Sequence, residues 1–396
     1  MKITIILNEP YPYGMACTNR IHLYAKRFKE QGHDVEIIIP KPTESHHTQA
    51  RNTEIEGEYE GVKFRYPLNP VRSTSFLKRR INDVLAYFKT LSYVFKNKRD
   101  TDIVLLVVTK LYMVVTYKLF CLLVGSKLVW EKSEFPFVFA KKTPLNQFYH
   151  KIYAKFGFKL FDGILLISDS LFEYFEGKVG KKTKFIVIPI LTDTSVFTPT
   201  KNNSGEIVYA GALNQFKDGI MDLLKAYNIF SGKMPGKKLV LMGDINLSSN
   251  KNEINGFISE NDLANKVEIT GYVSKAEMID RMSNAAVLAL AKPANLQSEH
   301  CVPTKIAEYL STGKPVLATN TGSIPKFLTN RKDSYLTEPN NPEQLAETLF
   351  EIYSDYPSSE AVGIMGRILA QDQFEYTKQG DRIISFFNDI LTTNGK

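Results

Sequence analysis

Cysteine is scarce in this sequence of 396 residues. Only Cys17, Cys121 and Cys301 are present, and none belongs to a CxxC pair. Three widely spaced thiols do not support a disulfide framework or a cysteine-based zinc site. A secretion signal is not predicted either, because the opening MKITIILNEP has one lysine and a short, strand-like apolar run. These absences favour a reducing, cytoplasmic setting.

The sequence also lacks the unbroken apolar run of about 20 residues that a membrane-spanning helix needs. Its most apolar stretch, DIVLLVVTKLYMVVTYKLFCLLVGSKLVW, is interrupted by Lys110, Lys118 and Lys127. We interpret this stretch as a strand, a helix and a strand. Burial of such a βαβ unit in a parallel sheet explains the same apolar density.

Two common signatures of nucleotide and metal sites are missing. The loop NEPYPYGMACTNR has no GxGxxG, so a nicotinamide-binding fingerprint is not supported, although Gly14 in it would let backbone approach a ligand. The one DxD, at 100–102, stands just before a strand, which is typical of a capping turn at the wrong end of a sheet for chemistry. His46 and His47 lie in a polar loop without further ligands nearby. We therefore expect no metal site.

What the sequence does contain is a regular alternation of strand-like and helical patterns. This alternation is typical of parallel sheets covered by helices on both faces. The strand-like runs are KITIIL, DVEIII, DIVLLVV, KLVW, GILLIS and KFIVIP in the first half, and EIVYAG, KLVLMG, KVEITG, AAVLAL and KPVLAT in the second. A stretch rich in Pro, Ser and Asn at 189–206 is predicted to link them. Chain length favours two domains, with ligands at the carboxyl ends of the strands.

Positive charge is concentrated in the first half of the chain. Residues 1–200 hold 30 Lys and Arg against 19 Asp and Glu, and residues 201–396 hold 20 against 23. A basic half suggests an anionic substrate, an anionic membrane surface or nucleic acid, with solvated lysines as the alternative. The segments 71–99 and 139–161 mix basic and aromatic residues at helical spacing, as helices on anionic lipid do. Ordinary helices with cationic outer faces explain them equally well. No recognisable nucleic-acid-binding fold is present, so nucleic acid is not an expected partner.

Two stretches of the second half have the residue types of an anion site and a sugar site. EIVYAG ends at Gly211, and Lys217 then precedes a predicted helix whose one apolar face would carry Ile220, Leu223, Leu224, Tyr227 and Phe230. At the start of this helix Lys217 can reach a phosphate; a solvent-facing lysine is the alternative. In PTKIAEYLSTGKPVLAT, a proline and a glycine mark the two ends of a helix. Glu308 lies on one side of this helix with Lys305 and can accept two hydroxyl hydrogen bonds from a ribose. A plain Glu–Lys pair within the helix is the alternative.

Together these motifs resemble the family 4 retaining glycosyltransferases of the GT-B fold, which also carry the description glycosyl transferases group 1. The resemblance rests on PTKIAEYLSTGKPVLATNTGSIPKFL, VYAGALNQFKDG, LVLMGDI, VEITGYVSKAEMIDRMSNAAVLAL, ISDSLFEYF and VIPILTDTSVFTP. It implies an α/β protein whose two Rossmann-like, doubly wound domains face a cleft. The acceptor-binding domain would cover 1–195 and the nucleotide-sugar-binding domain 196–370. A C-terminal helix within 371–396 would cross back to the first domain.

The resemblance also implies roles for individual residues. Glu308 would hold the nucleotide ribose, and Lys217 would bind the donor diphosphate and act in catalysis. The loop that contains Tyr272 and Val273 would hold the base through its backbone. The other donor-binding residues implied by the resemblance are Gly14, Gly211, Lys305, Thr321, Gly322 and Ser323.

The acidic motif departs from the family pattern. The family spaces two glutamates eight residues apart, but His300 stands eight residues before Glu308 and Glu299 stands nine before it. Glu299 and His300 are both candidates for the catalytic contact with the sugar. The sequence leaves the choice between them open.

The cationic positions depart from the pattern as well. Ala212 stands where the family usually has an arginine that holds the diphosphate, so Lys217 acts alone or is helped by Lys292 or Lys305. Lys326 stands where the family often has a carboxylate. It either adds a cation near the site or lies at the surface.

The expected function is a retaining, metal-independent hexosyltransferase for surface polysaccharide or glycolipid assembly. The donor would be a nucleotide sugar, UDP-linked rather than GDP-linked, with no further cofactor, and the acceptor a glycan or a lipid-linked glycan. The resemblance implies a cytoplasmic protein, peripheral on the inner face of the cell membrane. The alternatives are a nucleotide-sugar epimerase or hydrolase of the same fold, and a non-catalytic nucleotide-sugar-binding subunit at the membrane. The sequence does not specify base, sugar, acceptor, linkage or oligomeric state.

Overall fold

The computed structural model describes residues 1–45, 50–108, 110–136, 143–295 and 303–392. The chain divides into two compact units. The first unit is Met1–Pro189 with Tyr376–Lys396, and the second is Ile190–Glu375. The domain boundaries predicted from the sequence, after 195 and after 370, lie a few residues from these divisions. The C-terminal segment belongs to the first unit.

The first unit is built on an eight-stranded sheet. Its strands are β1 (Lys2–Leu7), β2 (Asp34–Ile38), β3 (Glu56–Tyr59), β4 (Val62–Arg65), β5 (Ile103–Val107), β6 (Lys127–Lys132), β7 (Gly163–Leu166) and β8 (Lys184–Val187). The order across the sheet is β3-β4-β2-β1-β5-β6-β7-β8. Only the β3–β4 pairing is antiparallel. Strand order reverses beside β1, which has β2 on one side and β5 on the other, and this creates a switch point at the carboxyl end of β1.

Helices cover both faces of this sheet. They are α1 (Ala16–Glu30), α2 (Phe76–Asn97), α3 (Leu111–Val124), α4 (Pro144–Phe156), α5 (Asp169–Phe175) and the C-terminal α14 (Tyr376–Thr392), with a 3-10 turn at Gly157–Leu160. Helix α14 packs on α1, where the ring centroids of Phe28 and Phe387 are 5.6 Å apart. Arg27 of α1 donates to Asp381 at 2.8 Å. These contacts hold the last helix in the first unit.

The most apolar stretch of the sequence forms β5, α3 and β6, as predicted. The two strands are buried, but the expected burial of the whole βαβ unit is wrong for α3. One side of this helix, including Leu119, Leu122 and Leu123, is exposed in the structure. Helix α3 therefore carries more apolar side chains than pack against the sheet.

The second unit is built on a six-stranded, fully parallel sheet. Its strands are β9 (Ile207–Ala210), β10 (Leu239–Met242), β11 (Val267–Ile269), β12 (Val287–Leu290), β13 (Val316–Thr319) and β14 (Tyr335–Thr337). The order is β11-β10-β9-β12-β13-β14. The chain proceeds outward from β9 to β11 and then returns to place β12 beside β9. A switch point therefore lies between β9 and β12, and ligands of open α/β sheets bind at the carboxyl ends of such strands.

The helices of the second unit are α6 (Gln215–Asp218), α7 (Ile220–Lys233), α8 (Lys251–Glu260), α9 (Lys275–Asn284), α10 (Thr304–Ser311), α11 (Ile324–Phe327), α12 (Pro342–Ser354) and α13 (Tyr356–Gln373), with 3-10 turns at Thr194–Val196 and Ile245–Leu247. The predicted apolar face of α7 is buried. Its members are Ile220, Leu223, Leu224, Tyr227 and Phe230. The helical spacing of these residues was therefore sufficient to identify both the helix and its core side.

The start of the predicted linker at 189–206 is packed rather than free. The Thr192 amide donates to the Phe374 carbonyl at 2.9 Å. The Arg367 guanidinium donates to the Phe197 carbonyl at 2.7 Å. Composition identified irregular backbone correctly, but it did not show that the polar groups of this backbone find partners within the second unit.

Candidate functional site

The carboxyl end of β9 lies at the switch point of the second unit and ends at Gly211. The glycine has φ of 150°. A Cβ at this position would lie 2.2 Å from the Nζ of Lys305. This φ is strained for any residue with a side chain, and the end of the Lys305 side chain would have to move to admit a Cβ. The predicted ligand role of Gly211 remains a prediction, but its structural role is clear.

Lys305 extends from α10 into a polar cluster beneath this turn. Its ammonium donates to the Asp218 carboxylate at 2.8 Å and to the Tyr209 hydroxyl at 2.9 Å. Burial lowers the pKa of Lys305, and the Asp218 carboxylate opposes this effect. The cation predicted to bind donor is therefore already paired, and with Asp218 rather than with Glu308 of its own helix.

Glu308 lies on the same helix, half-buried, without such a partner. Within the described residues its carboxylate makes no hydrogen bond or ion pair. Burial raises the pKa of the Glu308 carboxyl, and the charges of Lys305 and Lys275 oppose this effect. A buried carboxylate that lacks a donor is costly, and hydroxyl groups of a ligand would remove that cost.

The position of α10 is fixed by the next residue. Tyr309 is fully buried, and its hydroxyl accepts a hydrogen bond from the Ala210 amide at 2.8 Å. Ala210 is the last residue of β9, so the helix that carries Glu308 is tied to the strand end at the switch point. This arrangement brings Glu308 and the β9 turn into one site.

Lys217 is exposed on the short helix α6, which follows the β9 turn. The Asn214 side chain caps α6 by accepting from the Lys217 amide at 3.0 Å. Lys292 follows β12, is buried, and donates from Nζ to the Lys217 carbonyl at 3.1 Å. The structure thus brings the Lys292 ammonium next to the backbone of Lys217 at the carboxyl ends of β9 and β12. The hydrogen bond from Lys292 holds this backbone in place.

The loop from 321 to 323 follows β13 at the same edge of the sheet. Thr321 and Ser323 are buried, and Gly322 is exposed. The Thr321 hydroxyl has no hydrogen-bond partner among the described residues. An unpaired buried hydroxyl is available to a ligand oxygen. Lys326, on α11 after this loop, is exposed.

Tyr272 and Val273 follow β11, two strands away from β9. The Tyr272 side chain is exposed, and Val273 is half-buried. Parallel pairing places the carboxyl ends of β11, β10 and β9 on one edge of the sheet. Glu299 and His300, the two candidates for catalytic contact with the sugar, lie outside the described residues.

Gly14 lies in the first unit, in the loop between β1 and α1. A Cβ there would be 2.0 Å from the Thr18 hydroxyl oxygen and 2.6 Å from the Pro10 carbonyl oxygen. This loop borders a recess of about 140 Å³ whose lining includes Tyr13, Asn52 and Tyr59. The glycine is therefore needed for loop packing, and the recess provides aromatic and amide groups beside it.

The sequence did not reveal three buried charged side chains of the first unit, Arg20, Glu131 and Lys132. Arg20 pairs with Glu131 at 2.9 Å, with both side chains buried, and its guanidinium also donates to two backbone carbonyls. Lys132 ends β6 and is 8% exposed. Its ammonium makes no hydrogen bond or ion pair within the described part of the chain, and burial lowers the pKa of Lys132. The only sequence signal was a charged pair at the end of an apolar strand.

The described residues contain no group of three or more His, Cys, Asp or Glu that could hold a metal ion. The DxD at 100–102 lies before β5. Asp102 accepts a hydrogen bond from the Lys2 amide at 2.7 Å, and Asp100 pairs with the Lys2 side chain. These contacts are those of a capping turn at the amino end of the sheet. His46 and His47 lie outside the described residues.

Comparison with known families gives a match over most of the second unit. Residues 204–355 match the family described as "Glycosyl transferases group 1". This segment is a group 1 glycosyltransferase domain. Gly211, Lys217, Lys305 and Glu308 all lie within it.

Comparison with solved structures extends the likeness to the whole chain. Sucrose-phosphate synthase from Thermosynechococcus elongatus superposes with a TM-score of 0.73 at 14% identity, covering 99% of this chain and 100% of that one. A glycosyltransferase from Rickettsia africae gives 0.72 at 17% identity, with 99% of each chain covered. Anabaena HepE, solved in complex with UDP-glucose, gives 0.69 at 14% identity over 98% and 100%. The chain that carries the group 1 domain thus has the GT-B fold.

Sequence relatives cover a much shorter stretch. The trehalose phosphorylase of Pleurotus pulmonarius is 34% identical over 76 residues, which is 19% of this chain and 10% of that enzyme. The enzyme of Pleurotus sajor-caju is 33% identical over 76 residues. The chain therefore aligns with about a tenth of the length of these relatives.

Proposed function

We propose that the protein is a retaining hexosyltransferase that takes a hexose from a nucleotide sugar bound at the β9–β12 edge of its group 1 domain. The observation that carries this proposal is Glu308, a half-buried carboxylate that makes no hydrogen bond or ion pair within the described residues. Its helix is tied to the end of β9, beside Gly211, and Lys217 follows on α6. Ribose hydroxyls would satisfy this carboxylate, and an adjacent cation suits a diphosphate.

In this proposal Lys217 and backbone amides stabilise the departing diphosphate, while the backbone around Tyr272 and Val273 holds the base. Lys305 acts mainly through its pairing with Asp218, which keeps the turn in place. The Thr321 hydroxyl, which has no hydrogen-bond partner among the described residues, and Ser323 approach the diphosphate from the β13 loop. Without the family arginine at Ala212, Lys217 supplies a larger share of the positive charge.

A nucleotide diphosphate leaves readily, so no acid is needed to protonate the leaving group, unlike in glycoside hydrolysis. Each well-placed donor to the developing charge is worth roughly 3–4 kcal/mol. The bond from the sugar C1 to the phosphate oxygen breaks, and a bond from C1 to the acceptor oxygen forms on the same face. The acceptor proton passes to the leaving phosphate oxygen. Retention then requires neither a protein nucleophile nor a metal, and the contact to the hexose falls to Glu299 or His300.

The donor we propose is a UDP-sugar, which agrees with the ligand of HepE. The acceptor is a glycan or a lipid-linked glycan bound on the first unit. The recess beside Gly14 supports this choice, because the aromatic rings of Tyr13 and Tyr59 line it and can pack against a sugar ring. The centroids of these two rings are 5.6 Å apart. We further propose that the protein acts in surface polysaccharide or glycolipid assembly, on the inner face of the cell membrane.

The test is release of free nucleotide from a panel of nucleotide sugars, with and without a crude lipid acceptor fraction. Acceptor-dependent release with label in the lipid fraction supports transfer. A changed sugar or acceptor-independent release supports an epimerase or hydrolase instead. Binding without turnover supports a non-catalytic subunit, the alternative that Ala212 motivates. Either of the last two results contradicts the proposal.

A further inference from the structure

We propose that α2, α3 and α4 form a lipid-facing surface of the first unit that inserts into the headgroup region of an anionic bilayer. This surface consists of the exposed apolar and basic side chains of these three helices. It deepens the proposed function by placing the lipid-linked acceptor, but lipid binding itself requires no donor and no turnover.

Helix α3 provides the clearest observation. Tyr112, Val115, Leu119, Leu122 and Leu123 follow helical spacing along one side, and Leu123 is 75% exposed. The opposite side, which includes Met113 and Phe120, already supplies the contacts to the core. A helix apolar all round is typical of a fully buried position. Here one side lacks any protein cover in the described part of the chain.

Helices α2 and α4 repeat this pattern. Large apolar side chains are exposed on one side of each, at spacings of three, four and seven residues or multiples of them. On α2 they are Leu77, Ile81, Val84, Leu85 and Phe88, and on α4 they are Leu145, Phe148 and Phe156. With Phe76 included, the three helices carry fourteen of the twenty-six large apolar side chains that are exposed among the described residues. Exposure this concentrated marks an interaction surface rather than scattered surface residues.

The three helices are neighbours, so their exposed sides form one surface. The Tyr87 hydroxyl on α2 lies 2.6 Å from the Thr116 hydroxyl on α3. The rings of Tyr87 and Tyr112 are 5.1 Å apart. The Leu111 amide at the start of α3 donates to the Tyr149 hydroxyl on α4 at 2.9 Å.

The charges on these helices select the kind of partner. Helix α2 carries five basic residues, Lys78, Arg79, Arg80, Lys89 and Lys96, against one acidic residue, Asp83. The sequences of α3 and α4 contain lysine but no acidic residue. Positive charge among apolar side chains suits anionic headgroups. A second copy of the chain would bring like charges together, which opposes a symmetric dimer through this surface.

The surface lies on the bilayer rather than across it. Among the helices of the described residues, none combines the length and apolarity that crossing a bilayer requires. Short helices with one apolar side and basic flanks bind in the plane of the headgroups.

Cosedimentation of the full chain with vesicles tests the apolar part of the surface. The probe is vesicles of phosphatidylcholine with an equal amount of phosphatidylglycerol. We expect wild type to bind, and L122E/L123E to bind at least about tenfold more weakly. The matched control is I364E/I368E, which makes the same change at two exposed isoleucines of α13 in the second unit. It should bind like wild type within about twofold.

Charge reversal tests the electrostatic part. R79E/R80E should weaken binding at least about tenfold, and only with vesicles that contain phosphatidylglycerol. K181E/K182E reverses two exposed lysines elsewhere in the first unit and should have a smaller effect. Wild-type binding equal for vesicles with and without phosphatidylglycerol would contradict an anionic partner.

Three outcomes overturn the proposal: no binding by wild type, unchanged binding by L122E/L123E, or equal losses in that variant and its α13 control. A wild-type dimer in light scattering that L122E/L123E abolishes would assign the surface to self-association instead. A thermal shift of each variant with UDP shows whether the variant is folded and whether its second unit binds nucleotide. If UDP does not bind but the vesicles do, the proposed function is contradicted and the lipid-facing surface is not.

Discussion

In the second unit, the lysine beneath the switch-point turn is neutralised by Asp218, whereas the buried lysine at the end of β6 in the first unit makes no ion pair within the described residues. In the second unit the described residues instead leave a carboxylate, Glu308 on α10, without a hydrogen bond or ion pair. Both units have a parallel sheet covered by helices, so the difference does not arise from architecture. The sign of the uncompensated charge depends on individual residues, and function must be sought in those residues rather than in the shared fold.

The outer helices differ as well. In the first unit α2, α3 and α4 together expose fourteen large apolar side chains, while in the second unit α7 and α12 pack against each other and fewer large apolar side chains are exposed among the described residues, three of them, Ile364, Met365 and Ile368, on α13. This difference is the basis on which we propose lipid binding for the first unit and donor binding for the second. Substitutions at the charged side chains of the two units test the difference between the units.

The largest effect is expected for Asp218→Asn, which leaves Lys305, whose side chain is only 18% exposed, without its counter-charge. Removing one partner of a buried pair costs about 3–5 kcal/mol of unfolding free energy. Urea denaturation measures this change. Glu268→Gln is the matched control, because its pair with Arg281 at 2.9 Å is partly exposed and worth at most about 1 kcal/mol. If both variants lose the same unfolding free energy, the Lys305–Asp218 pair contributes no more than an exposed pair and the prediction is wrong.

Lys217→Ala should lower turnover roughly a hundredfold or more, because one donor to the leaving diphosphate is lost. Folding stability should not change, since the Lys217 side chain is exposed. Steady-state nucleotide release measures kcat and KM. Lys225→Ala, at an exposed lysine of α7, is the control and should behave as wild type. A purely structural role of Lys217 would appear as lost stability with normal turnover.

Glu308→Gln should weaken donor binding about tenfold and yet stabilise the free protein by on the order of 1 kcal/mol. Burial raises the folded-state pKa of Glu308 above its ordinary value of 4.5, so the native carboxylate costs stability once pH passes above 4.5. The gain in the variant should therefore be present at pH 7 and disappear at acidic pH below 4.5. Glu343→Gln, at an exposed carboxylate of α12, should show neither effect.

The smallest effect concerns the buried amine of Lys132 in the first unit, which makes no hydrogen bond or ion pair within the described residues and lies 5.7 Å from the centroid of the Trp130 ring. Lys132→Met should stabilise that unit by on the order of 1 kcal/mol at neutral pH, because a buried cation without a counter-charge there is removed. Burial lowers the folded-state pKa of Lys132 below its ordinary value of 10.5, so the cost is present at neutral pH and fades as pH approaches 10.5. Lys127→Met, at the half-exposed start of the same strand, is the control. A loss of stability in Lys132→Met would reveal a structural role for the amine.

Local pattern was enough for much of the fold. The helical spacing of Ile220, Leu223 and Tyr227 predicted both α7 and its buried side, because apolar residues that recur every three or four positions share one side of a helix. The alternation of elements predicted two parallel-sheet units for the same reason. The exposed side of α3 could not be predicted, because an apolar residue looks the same in sequence whether protein or solvent lies opposite it.

The candidate site divides in the same way. Residue type and spacing indicated Glu308 and Lys217 as candidates, since carboxylates and lysines have characteristic partners among sugars and phosphates. They did not show that Lys305 pairs with Asp218, which is 87 residues away in the chain. Nor did they show that Arg20 reaches Glu131, which is 111 residues away.

Periodicity and composition within short segments were enough to predict the strands and helices of this protein, their parallel arrangement and the residue types from which a donor site can be built. Which charges are paired, which have no partner among the described residues and which apolar side faces outward became visible only in the folded chain. Desolvation and ion pairing depend on distances between atoms that lie far apart along the sequence, so no local pattern contains them.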